Sequence, residues 1–140
     1  MTAGRVLAVD PGTVRIGLAR TDDSGTLAVP MGAVPAAPAE TLVARLAAVA
    51  AQLDAKRILI GHPRRLDGTE GEEARAARDL AHQLRQVSGL PVTLVDERLT
   101  TAQAERALLA AGVRRRRRRE NVDQMAAALI LEQYLASSDG

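Results

Sequence analysis

Early in the chain apolar residues come in short runs or alternate with other residues, and further along they recur every three or four positions. The run from Arg5 to Val9 stops at Asp10-Pro11-Gly12, and Val14, Ile16 and Leu18 alternate just beyond it, which predicts two strands joined as a hairpin. Turn-forming residues from Asp22 to Gly25 separate these from a third strand over Thr26 to Val34, ahead of Pro35 and Pro38. Leu42, Leu46, Val49 and Leu53 then fall at helical spacing. Arg57 to Ile60 reads as a buried strand stopped by Gly61 and Pro63. Glu72 to Val87 carries Leu80, Leu84 and Val87 on one helical stripe, and Pro91 to Asp96 is a further short strand. Thr100 and Gln103 form a capping box for a helix reaching about Ala110, closed by Gly112, and a last helix runs from about Asn121 to Leu135.

Three antiparallel strands followed by alternating helices and strands predict an α/β fold: a mixed five-stranded sheet with helices on both faces. In such a sheet the strand ends after Val9 and Val95 can lie side by side, and strand C-terminal ends are where α/β folds gather functional groups. The 140 residues, 46% of them hydrophobic, suit a single domain over residues 1–140, and no internal repeat is seen.

Composition narrows the chemistry. The chain has no cysteine and two histidines, His62 and His82, so a metal site would be built mainly from carboxylates, which suit Mg2+ or Mn2+ better than zinc or copper. The formal net charge is +2, but the charge is concentrated, with six consecutive arginines from Arg114 to Arg119. A single aromatic residue, Tyr134, leaves little on which to stack bases. There is neither an apolar run long enough to cross a membrane nor a secretory leader, so the expectation is a soluble, cytoplasmic protein without a membrane partner.

Three acidic positions sit at the edges of core elements. Asp10 ends the first strand at a sharp turn, and the hairpin that follows offers glycines and Arg15 for phosphate. Asp96, Glu97 and Arg98 close the fifth strand; strand alternation lets only one of Asp96 and Glu97 face the same way as Asp10, and spacing leaves the choice open. Asp123 falls in the first turn of the last helix, where a carboxylate also stabilises the helix dipole by about 0.3–1 kcal/mol. Arg114, Arg115, Arg116, Arg117, Arg118 and Arg119 precede it; their mutual repulsion predicts a mobile loop that clamps substrate phosphates. Arg64 and Arg65, after the fourth strand, are weaker candidates for that task, and His62 is read as a loop residue with no catalytic role.

Four segments carry a resemblance over nearly the whole chain: Val9-Asp-Pro-Gly-Thr-Val-Arg-Ile-Gly-Leu-Ala19; Ile60-Gly-His-Pro63 with Leu66-Asp-Gly-Thr-Glu-Gly71; Val95-Asp-Glu-Arg-Leu-Thr-Thr101; and Asp123 with Ala126-Ala-Ala-Leu-Ile-Leu131 and Tyr134-Leu135. In this order and spacing they resemble the YqgF/RuvX family, described both as Holliday junction resolvases and as pre-16S ribosomal RNA nucleases. The resemblance implies an RNase H-like fold, hydrolysis of nucleic-acid phosphodiester bonds, and a carboxylate triad at Asp10, Glu97 and Asp123. It alone selects Glu97 over Asp96. Such a triad would hold two divalent ions about 3.5–4 Å apart, with Asp10 bridging and no protein nucleophile needed.

The implied substrates are structured RNA, as in processing of the 5′ end of pre-16S rRNA during ribosome biogenesis, or a four-way DNA junction in recombination and repair. A resolvase acting on symmetric strands requires a homodimer, whereas an RNA-processing enzyme can work as a monomer. Two other classes compete. An actin- or sugar-kinase-like ATPase also opens with an Asp-x-Gly-Thr hairpin, but those proteins close two domains around the nucleotide. A non-catalytic nucleic-acid-binding ribosome assembly factor would use the arginines without the triad.

Overall fold

A computed structural model describes residues 5–62, 71–96 and 115–138, with side chains described over 5–62, 71–96 and 125–136. The first hairpin consists of β1 (Arg5–Asp10) and β2 (Arg15–Thr21), and β3 (Ala28–Pro35) follows. The chain continues with α1 (Ala39–Gln52), β4 (Ala55–His62), α2 (Glu72–Ser88), β5 (Val92–Asp96) and α3 (Arg115–Ser138). The helix expected over Thr100 to Ala110 lies outside the described residues.

The sheet order is β3-β2-β1-β4-β5, with β1, β2 and β3 antiparallel neighbours and β4 parallel to both β1 and β5. This corrects one expectation: β1 and β5 are not adjacent, because β4 runs between them. Alternation along a strand reports which face a residue takes, not which strand lies beside it.

The two faces bury different sets of residues. Leu7, Val9, Ile16, Leu18, Ile58, Ile60 and Val92 pack under α1 and α2, with Leu46 and Leu84 from the helices. Val6, Ala8, Ala19 and Leu59 pack under α3, against Ala127, Ala128, Ile130 and Leu131. Each fully buried aliphatic side chain contributes about 1.5–3 kcal/mol. Gly89, at φ 72°, ends α2 as a left-handed cap. Val87 departs from its expected stripe: Ala77, Leu80, Ala81 and Leu84 form the buried edge of α2, and Val87 is 60% exposed in the last turn.

Three further expectations are corrected. Gly61 does not stop the fourth strand: β4 continues to His62 because it has a partner on β5 for each added residue, Gly61 with Val95 and His62 with Asp96. His62 is therefore a buried strand residue, not a loop residue. The last helix begins at Arg115, six residues before the expected Asn121, so Arg115 to Arg119 are helical where a mobile loop was expected. Arginine has helix propensity close to that of alanine, and like charges at helical spacing cost only about 0.2–0.5 kcal/mol per pair, so propensity outweighs repulsion.

Candidate active site

Asp10 is the last residue of β1 and is 7% exposed. Its place in the alternation sets its face. Val6 and Ala8 point under α3, so Asp10, two residues further, stands on that face too, at the C-terminal end of the strand. The turn beyond it is tight: a Cβ on Gly12 would lie 2.3 Å from the Arg15 carbonyl oxygen, so only glycine fits. The tip is fixed by the Ala36 N–H, which donates to the Val14 carbonyl at 2.9 Å. Val14, expected in the strand, stands instead at this tip, 73% exposed. Arg15 opens β2 with the parity of Gly17 and Ala19, which puts this exposed arginine on the same face as Asp10.

On β5 the alternation places Asp96. Val92 and Leu94 pack under α1 and α2, Val95 packs under α3, and Asp96 takes the parity of Val92 and Leu94. Asp96 thus lies on the opposite face of the sheet from Asp10, beside His62 in register. The strand is anchored from both faces: Arg85 donates from Nη2 to the Val92 carbonyl at 2.8 Å, and Arg57 donates from Nη1 to the Thr93 hydroxyl at 2.7 Å. Glu97, Arg98, Arg64, Arg65 and Arg114 lie outside the described residues.

Asp123 is in α3. Further along the same helix, Ala127 and Ile130 are fully buried against the sheet. The helix that carries Asp123 thus covers the face of the sheet on which Asp10 stands. Among the described residues no cluster of three His, Cys, Asp or Glu side chains surrounds one point. Arg115 to Arg119 crowd the N-terminal end of α3, where the helix dipole is positive, a location that favours anions.

Two glycines take a place beside Asp10 that the sequence did not reveal. Gly17 is the direct partner of Asp10 on β2, and Gly61 is one step beyond the Val9–Ile60 pair on β4, level with Asp10 on the other side. The signal was present, since glycine inside a strand marks a close approach, but its meaning required the strand order.

Comparison with known proteins agrees with this architecture. The family model described as "RuvX: Holliday junction resolvase" matches residues 4–137. A Thermobifida fusca protein named "Putative pre-16S rRNA nuclease" is 42% identical over 143 residues, covering 96% of this chain and 89% of the relative. A Mycobacterium tuberculosis protein of the same name is 44% identical over 133 residues, covering 94% and 78%. Among solved structures, Thermus thermophilus RuvC in complex with Holliday junction substrate superposes with a TM-score of 0.60 at 17% identity, covering 98% of this chain and 96% of that one, a likeness of fold. No helix among the described residues is long and apolar enough to cross a membrane. By sequence match along nearly its entire length, the chain belongs to the RuvX family.

Proposed function

We propose that this chain, one domain over residues 1–140, is a cytoplasmic, divalent-metal-dependent endonuclease that hydrolyses nucleic-acid phosphodiester bonds, with the 5′ end of pre-16S rRNA as its substrate. The observation that carries the catalytic reading is Asp10: a buried carboxylate at a strand end, on the face shared by Arg15 and covered by α3, the helix that carries Asp123. The names of relatives at 42% and 44% identity support the choice of substrate.

A hard divalent ion suits this surrounding. Asp10 supplies carboxylate oxygen, and the residues level with it on the flanking strands, Gly17 and Gly61, bring no competing side chain. Asp10, Glu97 and Asp123 would hold Mg2+ or Mn2+; Asp96 faces away, which favours its successor Glu97. Asp10 and the end of β5 are two strand spacings apart, about 10 Å, a gap that two carboxylates and a pair of ions can span. When bound, such ions activate water and stabilise the leaving oxygen. The chain's own part is to fix the carboxylates on a rigid sheet edge and to hold the phosphate backbone through Arg15, Arg98 and the arginines of residues 114–119, with Arg64 and Arg65 as outlying contacts. Binding through arginines in this way makes affinity strongly salt-dependent.

A second reading, four-way junction cleavage by a homodimer, is favoured by the family's description and by the fold shared with RuvC. The deciding experiment incubates wild type and Asp10→Asn with a labelled precursor rRNA fragment and a labelled four-way DNA junction, each with magnesium, manganese or chelator. Specific RNA cleavage lost in the mutant supports processing. Paired symmetric cuts in the junction establish a resolvase. Metal-independent binding without cleavage of either overturns the enzyme in favour of an assembly factor.

A further inference from the structure

Helix α2 sorts its charges by stripe. Arg75, Arg78, His82 and Arg85 recur at intervals of three, four and three residues, so they share one line along the helix, and all four are exposed. The line spans about 15 Å. The stripe that points straight away from the core carries Glu72, Asp79, Gln83 and Gln86 instead. A contact with the sheet tells which way the basic line faces. The Pro91 carbonyl accepts from the Ile58 N–H on β4, so the next carbonyl along, that of Val92, points outward from β5, the outer strand of the sheet. Arg85 donates to that carbonyl from Nη2 at 2.8 Å and from Nε at 3.2 Å. The basic line therefore runs along the flank of α2 at the β5 edge. Because α2 runs against β4 and β5, Arg85 lies near the start of β5 and Arg75 toward its end, the end of the sheet at which Asp10 stands.

Little offsets these charges. Among the described residues neither Arg75 nor Arg85 forms an ion pair, and the carbonyl that holds Arg85 is neutral. Asp96, at the end of β5 on this face, sets one negative charge against three arginines. The helix covers the face of the sheet opposite to Asp10, so a straight duplex seated over Asp10 and Arg15 cannot also follow α2. A nucleic acid with a second arm can, by passing the β5 edge. We propose that this line is a second phosphate-binding surface, which takes the backbone of an adjoining duplex arm in a branched or folded nucleic acid while the first arm lies at the Asp10 site. The inference rests on the nuclease reading and deepens it: contact from two sides of the sheet favours structured substrates over plain duplexes.

Fluorescence-anisotropy salt series, with calcium in place of magnesium, would compare wild type, Arg75→Gln and Arg75→Gln/Arg78→Gln on a four-way DNA junction, a folded precursor rRNA fragment and a short straight duplex. Arg20→Gln removes the same charge from β2, three strands from the β5 edge, and controls for net charge. On the junction or the folded RNA, Arg75→Gln should lower the slope of log affinity against log salt by about 0.7–0.9, and the double variant by about twice that. The short duplex and Arg20→Gln should keep wild-type slopes. A fall on only one of the two structured substrates supports the proposal and names the nucleic acid that uses the line. Wild-type slopes for both variants on both structured substrates overturn it and leave the nuclease reading standing. Equal loss on the short duplex overturns it too, since the line would then belong to the first contact. A wild type that binds none of the three removes the nuclease reading and this inference together. Melting temperatures check folding; should the double variant be unstable, Arg75→Glu, a charge reversal at an exposed position, takes its place with the same expected result.

Discussion

Two turns of the first three strands begin with an aspartate and contain a glycine, yet the two aspartates stand in different settings. In the turn between β2 and β3 the carboxylate builds the turn: Asp22 Oδ1 accepts from the Ser24 hydroxyl at 2.8 Å and from the Thr26 and Leu27 N–H groups at 3.1 and 3.2 Å. Those bonds hold its carboxyl below its ordinary pKa, the Ser24 hydroxyl contributing most. In the turn between β1 and β2 the main chain closes the loop: Gly12 packs on the Arg15 carbonyl, and Ala36 donates to the Val14 carbonyl. Asp10 sits before that turn, buried on the α3 face between two glycines. An aspartate that builds its own turn is structural; one buried at a strand end stands where α/β folds gather functional groups.

The largest effect separates these two acids. Asp10→Asn should reduce metal-dependent cleavage by at least about a hundredfold, since even outer partners of metal sites cost about 10–100-fold when removed. Asp22→Asn should leave cleavage within about twofold, because surface changes away from a site are usually small. Equal losses in a product assay would erase the distinction between the turns.

The glycines give the next contrast. Gly12→Ala forces a Cβ to within 2.3 Å of the Arg15 carbonyl, so the backbone must shift, at a cost of about 1–3 kcal/mol. Because Arg15 moves with it, cleavage should fall as well. Gly25 has φ 76°, and Gly25→Ala should cost about 1–2 kcal/mol with cleavage by the folded protein unchanged. Urea denaturation beside activity per folded molecule checks both.

These contrasts show what could be read without coordinates. The apolar run from Arg5 to Val9, buried on both faces, together with Ile16 and Leu18 beyond the Asp10-Pro11-Gly12 turn, was enough to recover the hairpin. Lateral order was not legible: nothing in the residues of β4 states that it lies between β1 and β5. For the same reason Gly61 resembled a strand terminator, when its partner Val95 continues the ladder. The face that Asp96 takes needed to know which residues of β5 pack under which helix. The early start of α3 was missed because charge repulsion among arginines was weighed above their helix propensity.

Substrate contact provides a smaller difference between the two ends of β2. Arg15 lies on the Asp10 face, whereas Arg20 pairs with Leu7 on the other face and donates to the Thr21 carbonyl at 3.1 Å. Arg15→Gln should lower the slope of log affinity against log salt by about 0.7–0.9, the value of one phosphate contact. Arg20→Gln should leave the slope unchanged, and a fluorescence-anisotropy salt series measures both.

The smallest effect concerns pH and the Asp22 turn alone. Its carboxyl pKa is lower in the folded protein than the ordinary value near 3.8, so the ionised form favours folding. The contribution is complete above the unfolded pKa and disappears as pH falls through the folded one. Wild type should therefore be slightly more stable than Asp22→Asn in neutral urea titrations, with the two midpoints converging as pH falls through the folded pKa. The group is at the surface, and the gap should also shrink in high salt. Midpoints that differ by the same amount at every pH would show that the Asp22 turn depends on its hydrogen-bond geometry and not on charge. The contrast with Asp10 would then rest on burial and position alone.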